Sequence, residues 1–187
     1  MSKKGVASKR DKRSKLDLDL FLLAMLRSGI ETPYRLLTTA GLSPGASIPV
    51  LRRLEVAGRV RRGKPGFRGR TEYHITAAGC RYLENEWRAL LEHPLPTDTE
   101  AILRTAALAV LLGEDKRLAS AYLKKAAAGK ASDSRRSRSA AKAAEVSLSG
   151  DSVAGFYGWL RATHASTRLT AEVKVLRKLA AEISRRS

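Results

Sequence analysis

The sequence lacks most of the residues that metal and redox sites require. Cys80 is the only cysteine, which excludes an internal disulfide and a zinc site built from several cysteines. The histidines are scattered without metal-ligand spacing. No nucleophile is paired with a base, and the glycines within 63–69 are not followed by the helix that a phosphate-binding loop needs. We therefore expect no enzyme activity, no cofactor and no metal.

Long hydrophobic runs are absent as well. There is no secretory signal and no apolar segment of about 18 residues or more, so we expect a cytoplasmic protein with no membrane partner. Aromatic residues make up only 5% of the chain, whereas hydrophobic residues make up 43%. Any core must therefore consist mainly of Leu, Val, Ile and Ala.

The charge of the chain is strongly positive. Lys and Arg number 36 and Asp and Glu number 18, which gives a formal net charge of +18. The surplus is shared, because residues 1–95 carry a net +10 and residues 96–187 a net +8. A charge of this size repels itself and is typical of proteins whose partner is a polyanion.

The N-terminal residues differ in composition from the rest of the chain. Residues 1–15 contain seven basic residues and one acid with almost nothing apolar, which predicts a disordered basic arm. Such arms lie along DNA phosphates beside a main binding site. Apolar residues at helical spacing begin at Leu16, so a folded domain is predicted over 16–93.

Start and stop signals predict three helices within 16–57. The first ends at Gly29, and the second and third each begin with a hydroxyl N-cap followed by a proline. These starts are Thr32 with Pro33 and Ser43 with Pro44, and the stops are Gly41 and Gly58.

A two-stranded hairpin is predicted over 59–75. Thr71, Tyr73 and Ile75 alternate on its second strand, and glycines occupy its tip. A fourth helix follows from Thr76. Three helices, a two-stranded wing and a fourth helix make a winged helix-turn-helix domain, so the predicted fold class is mainly α.

The C-terminal half is predicted to be all helical over 97–187, with a mobile basic loop at 130–142. Two helices should follow this loop, at about 151–165 and 168–185. An apolar seam in the last helix suits a helix partner, so we expect a homodimer formed by this half. The seam is Leu169, Val173, Leu176, Ala180 and Ile183, and Trp87 and Trp159 are further candidates for a dimer interface or a ligand site.

The third helix, 43–57, is the predicted recognition helix. Helix-turn-helix proteins place the N-terminal residues of the second helix of the pair against base edges in the major groove. Arg52 and Arg53 can contact a base or a phosphate. The wing has six basic residues and no acid within 59–70, which suits the phosphate backbone or the minor groove. The predicted DNA contacts are Ser43, Ala46, Ser47, Pro49, Arg52, Arg53, Arg61, Arg62, Lys64, Arg68 and Arg70.

Two motifs resemble the PadR-like transcriptional regulators. Residues 43–55, SPGASIPVLRRLE, are similar to that family's typical SPGTLYPALRRLE, and residues 73–79, YHITAAG, to its Y-x-L-T-x-x-G junction. Tyr34 matches the tyrosine of the family's H-G-Y segment. The resemblance covers about 16–93. Two departures are Ile48, where tyrosine is common, and Thr32-Pro33 in place of His-Gly.

The resemblance implies a homodimeric repressor that binds double-stranded DNA, with Tyr34 as a further DNA contact and the C-terminal helices forming the dimer. It also implies a small, flat hydrophobic effector, which some members bind. The alternative is a basic architectural or RNA-binding protein with little sequence preference, which the positive charge of both halves favours.

Overall fold

The structure is a computed structural model that describes residues 4–64, 71–113, 115–146 and 153–186. The chain forms two compact units, Met1–Glu114 and Asp115–Ser187. The elements in chain order are α1 (Lys4–Arg27), α2 (Pro33–Ala40), α3 (Pro44–Val56), β1 (Val60–Arg62), β2 (Tyr73–Ile75), α4 (Ala77–Glu86), α5 (Ala89–Glu92), α6 (Thr99–Gly113), α7 (Lys116–Val146) and α8 (Val153–Arg185). The predicted fold class, mainly α with a winged helix-turn-helix, is confirmed.

Helix α1 lies at the centre of the first unit. All residues from 20 to 26 are buried, and the helix packs against α3, α4, α6 and β2. A helix that is apolar on every side is stable only when other elements surround it. The remaining elements of the unit are therefore organised around α1.

The helix begins much earlier than the apolar pattern does. It starts at Lys4, so most of the arm that we predicted to be disordered over 1–15 has a helical backbone. Lys and Arg are good helix formers, and a helix already nucleated by the packed turns after Leu16 extends into them at little cost.

Helices α2 and α3 form the predicted helix-turn-helix. The Thr32 hydroxyl accepts a hydrogen bond from the Arg35 backbone N–H at 3.2 Å, and the Ser43 hydroxyl accepts one from Ala46 at 3.3 Å. Gly41 ends α2 with a φ of 66°, a left-handed conformation that favours glycine. The turn between the two helices is thus set by local sequence.

The wing is a short antiparallel ribbon in which Val60 pairs with Ile75 and Arg62 with Tyr73. Its first residue, Val60, is buried, and so is Tyr73 at the start of β2. The Tyr73 backbone N–H also donates to the Glu31 carbonyl at 2.8 Å, which ties β2 to the segment before α2.

The T-x-x-G junction after the wing is a close-packed corner. The Thr76 hydroxyl donates to the Gly58 carbonyl at 2.8 Å and accepts from the Gly79 N–H at 3.1 Å. A Cβ on Gly79 would lie 2.1 Å from the Arg59 carbonyl oxygen, so no other residue fits there. This corner joins the end of α3 and the wing to α4.

The first unit extends further than predicted. We placed a boundary between 93 and 97, but α6 packs against α1 and belongs to the first unit. Its N-terminus is capped by Asp98, whose carboxylate accepts from the backbone of Glu100 and Ala101, each at 3.2 Å. The apolar face that we assigned to a separate half covers α1 instead.

A buried ion pair joins α1 to α6. The Asp17 carboxylate accepts from Arg104 Nε at 2.7 Å, and only 2% of the Asp17 side chain is exposed. Burial raises the pKa of Asp17, and the neighbouring Arg104 guanidinium opposes that rise. The Asp17 carboxylate thus needs Arg104 to remain ionised. Because Asp17 is on α1 and Arg104 on α6, this pair fixes the position of α6 along α1.

The second unit is a hairpin of two long helices, α7 and α8. Its core contains many alanines and serines, which let the two backbones approach closely. The Ser120 hydroxyl donates to the Ala180 carbonyl at 2.9 Å, and the Ser134 hydroxyl donates to the Ser166 carbonyl at 3.2 Å. Lys130 is buried and pairs with Glu172.

Two predictions for this unit are wrong. The mobile loop at 130–142 is part of α7, because Lys130 and Ser134 find partners on α8 and the segment is otherwise rich in Ala, Lys and Arg. The two helices predicted at 151–165 and 168–185 are one helix, α8. Its threonines do not break it, because Thr167 and Thr170 donate to carbonyls four residues earlier.

Candidate nucleic-acid interface

Helix α3 presents one face to the core and the other to solvent. Val50, Leu51 and Leu54 are buried, whereas the predicted contacts Ser43, Ala46, Pro49, Arg52 and Arg53 are exposed. Pro49 removes the hydrogen bond to the carbonyl of Gly45, which is itself exposed and can bind water. The exposed N-terminal turns carry only small side chains, so a nucleic-acid surface can come close.

Ser47 does not belong to this exposed face. Its residue surface is 0% exposed, and its hydroxyl has no hydrogen-bond partner within the described part of the chain. The prediction that Ser47 contacts a base is therefore wrong. Ser47, Leu51 and Leu54 share one face of the helix at four- and three-residue spacing. We assigned Ser47 to the opposite, solvent-facing side because its side chain is polar.

The adjacent arginines of α3 have different surroundings. Arg53 binds the Asp19 carboxylate of α1 through two guanidinium nitrogens, with Nε at 3.3 Å from Oδ2. Asp19 is buried, whereas Arg52 is exposed and lies beside the wing. Arg53 thus holds α3 against α1, and Arg52 is available to a ligand.

Apart from Arg59, the wing cations that the structure describes face solvent. Arg61, Arg62 and Lys64 are exposed, and none of them forms an ion pair within residues 4–64 or 71–113. The Arg62 guanidinium donates to the Thr71 hydroxyl at 3.4 Å. Arg68 and Arg70, also predicted as contacts, lie outside the described residues.

A groove of about 1010 Å³ runs between α2, α3 and the wing. Tyr34 projects into solvent at its edge with 69% of its surface exposed, and Val56 with 91%. The lining residues with charged or aromatic side chains are Tyr34, Arg35, Arg52, Glu55, Arg62, Glu72 and Tyr73. The groove brings together Tyr34, Arg52 and Arg62, which the sequence places on three separate elements.

Most residues that line this groove were not predicted as contacts from the sequence. Arg35, Ile48 and Val56 line the groove but were not among the predicted contacts. Arg35 also donates to the Gly29 carbonyl at 2.9 Å. Its position one residue after Tyr34, at the start of α2, is the signal that could have identified it.

A second set of contacts holds the wing in place. His74 Nδ1 lies 2.8 Å from Glu31 Oε1, across the segment that precedes α2. The Arg59 guanidinium lies 3.3 Å from the centre of the Tyr82 ring. Burial raises the pKa of Tyr82, and Arg59 opposes the rise. Arg59 is therefore packed onto α4 and differs from the solvent-facing Arg61 and Arg62.

The predicted C-terminal interface residues are mostly internal. Trp87 is 4% exposed and packs against Gly113 within the first unit. Val173, Leu176 and Ala180 are buried within the α7–α8 hairpin, and Leu169 and Ile183 are half-buried. The seam at 169–183 thus packs against α7 of its own chain, because that helix supplies the partner that we assigned to a second copy.

The described residues contain no group of three or more His, Cys, Asp or Glu side chains that could hold a metal ion. Within the same residues, no helix is both long enough and apolar enough to cross a membrane.

No protein-family model and no curated protein matches the chain. Among solved structures, the crystal structure of Bacillus subtilis PadR in complex with operator DNA is 21% identical to it. That match covers 88% of this chain and 97% of the other, with a TM-score of 0.38. A TM-score of this size does not assign a fold, so the winged-helix assignment rests on the elements described above.

The contrast between the two α3 arginines gives a matched pair of variants. Arg53→Met should lower the free energy of unfolding by about 1–2 kcal/mol, because the buried Asp19 carboxylate loses its partner. Arg52→Met should change it by less than about 0.5 kcal/mol, as expected for a solvated side chain. Urea unfolding of both variants measures the difference. Equal stabilities would show that the Arg53 pair does not hold α3.

Proposed function

We propose that the chain is a transcription regulator that binds double-stranded DNA through the winged helix of its first unit. The observation that carries this proposal is the groove in which Arg35, Arg52 and Arg62 lie beside the exposed face of α3. The major groove of DNA is about 12 Å wide and admits one helix. A basic ribbon beside that helix can follow the adjacent phosphates.

The helix and the wing would have separate roles. The small residues Ala46 and Pro49 let α3 approach the base edges, and Arg52 lies one turn further along the helix. The exposed cations Arg61, Arg62 and Lys64 would bind phosphates. Glu55 and Glu72 also line the groove and would repel phosphates. The sugar-phosphate backbone of the DNA is therefore expected to run along the outer edge of the wing.

This division of roles is tested with a triple wing variant. Arg61→Gln/Arg62→Gln/Lys64→Gln should weaken binding to all duplexes. The slope of log affinity against log salt concentration should become less steep by about 2–3 for each bound chain, because each lost phosphate contact contributes about 0.9 to that slope. Fluorescence anisotropy at several salt concentrations measures the slope. The ratio of specific to non-specific affinity should stay close to that of the wild type.

The matched control is Lys174→Gln/Arg177→Gln/Lys178→Gln, which removes three exposed cations from α8 and the same net charge. It should leave the slope within about 1 of the wild type, because only cations in contact with phosphates release counterions. A wing variant with the slope of the control would contradict DNA binding by the wing.

We also propose that the regulator is a homodimer and a repressor, with an interface that differs from the one first predicted. The seam at 169–183 is internal, but the start of α8 has an exposed apolar stripe at helical spacing, formed by Val153, Phe156, Tyr157 and Leu160. Phe156 stacks on Trp159 with ring centres 5.7 Å apart. An exposed apolar patch of this kind is typical of a protein interface.

The dimer is tested by sedimentation. Phe156→Glu/Leu160→Glu should be monomeric at micromolar concentrations where the wild type is dimeric, because two charges would be buried without partners. Val175→Glu, at another exposed apolar position of α8, should remain dimeric. A monomeric wild type, or a dimer that survives the double substitution, would rule out this interface.

One observation favours the second candidate function, a basic protein that binds nucleic acid with little sequence preference. The second unit is itself strongly basic, with 16 Lys or Arg against 6 Asp or Glu. Such a protein would bind random and selected duplexes with similar affinity, whereas the regulator would not.

A further inference from the structure

The positive charge of the second unit is larger than its size would suggest. Asp115–Ser187 carries a net charge of +10, compared with +8 for the longer Met1–Glu114. A unit that only joined two chains would bring two such charges together, and this repulsion opposes association. The charge therefore indicates a partner of opposite sign.

Much of this charge lies in one stripe along α7. Arg117, Lys124, Arg135 and Lys142 are all exposed and are separated by 7, 11 and 7 residues. Seven residues make about two helical turns and eleven make about three, so these four side chains leave the helix in nearly the same direction. Arg138 lies next to them, one turn after Arg135. We name this set the α7 stripe.

The stripe faces away from α8. The buried residues of α7 include Ala119, Leu123 and Ala126, which lie on the opposite side of the helix. Within the described residues, no ion pair involves Arg117, Lys124, Arg135, Arg138 or Lys142. Its cations are thus held on a packed helix and are solvated.

The residues between the cations are small. Ala121, Ala128 and Ser139 lie on the same face and are exposed. From Arg117 to Lys142 this face carries no acid, and it has no aromatic side chain on which an unpaired base could stack. It also lacks the large apolar side chains that insert a helix into a membrane surface. A rigid polyanion with regularly spaced charges fits best.

We propose that the α7 stripe binds the phosphate backbone of double-stranded DNA without regard to sequence. The stripe spans 25 residues, about 37 Å at 1.5 Å per residue, which is close to one turn of the duplex at about 34 Å. Lys124 and the cations after it, about 10 to 17 Å apart along the helix, can thus contact phosphates at several points along one turn of the duplex. This proposal shares its ligand with the proposed function but uses residues on the other unit.

The test uses the full chain and a random-sequence duplex. Lys124→Gln/Arg135→Gln/Lys142→Gln should flatten the salt dependence of binding by about 2–3 for each bound chain and lower the affinity at 0.1 M salt by at least about tenfold. Lys174→Gln/Arg177→Gln/Lys178→Gln removes two Lys and one Arg as well, so it is matched in charge and in residue type. This control should retain nearly the wild-type slope. Circular dichroism should show unchanged helix content in both.

The outcomes separate this proposal from the proposed function. If only the wing triple variant flattens the slope, the stripe proposal is overturned and DNA binding by the winged helix stands. If only the stripe variant does so, the stripe proposal stands and binding by the wing is overturned. Equal effects of stripe and control variants would show that net charge alone acts, and a wild type that binds no duplex would also overturn the proposal. Tighter binding to single-stranded RNA or to vesicles with anionic lipid would overturn the choice of duplex DNA.

Discussion

Two ion pairs that start on α1 determine how the first unit is arranged. Asp17 binds Arg104 of α6, and Asp19 binds Arg53 of α3. Apolar packing around the buried turns of α1 is largely non-directional, so it allows the neighbouring helices to slide or rotate. The two charge-assisted contacts remove that freedom. Because α3 is held by Arg53, its Ala46, Pro49 and Arg52 face solvent, and Arg52 lies beside the wing.

The same arrangement divides the cations of the chain into two classes. Arg53, Arg104 and Lys130 are each paired with a carboxylate that is largely shielded from solvent, and loss of the cation would leave that carboxylate without compensation. Others are exposed on the wing or along α7 and are free to exchange their counterions for phosphates. The net charge alone does not distinguish these classes. It is the geometry of each helix that decides which arginine stabilises the fold and which can bind a ligand.

Local signals were sufficient for the winged helix, because its boundaries depend on short-range chemistry such as the caps at Thr32, Ser43 and Thr76. The same signals failed where tertiary contacts decide. Ser47 is buried although it is polar, and the Ser-rich segment at 130–142 is helical although Ser134 and Lys130 are polar, because both find partners on α8. The apolar seam of α8 was identified correctly as a helix-packing surface, but periodicity cannot tell whether the partner helix belongs to the same chain.

The proposed symmetric dimer should recognise one sequence in duplex DNA through its two winged helices. Repeated selection of bound duplexes from a random pool, followed by sequencing, tests it most directly. Selection should enrich an inverted repeat whose half-sites are about 34 Å, one turn, apart, since two recognition helices related by a two-fold axis require that spacing. A pool that remains random after selection would contradict sequence recognition and would favour a basic protein that binds nucleic acid by charge alone.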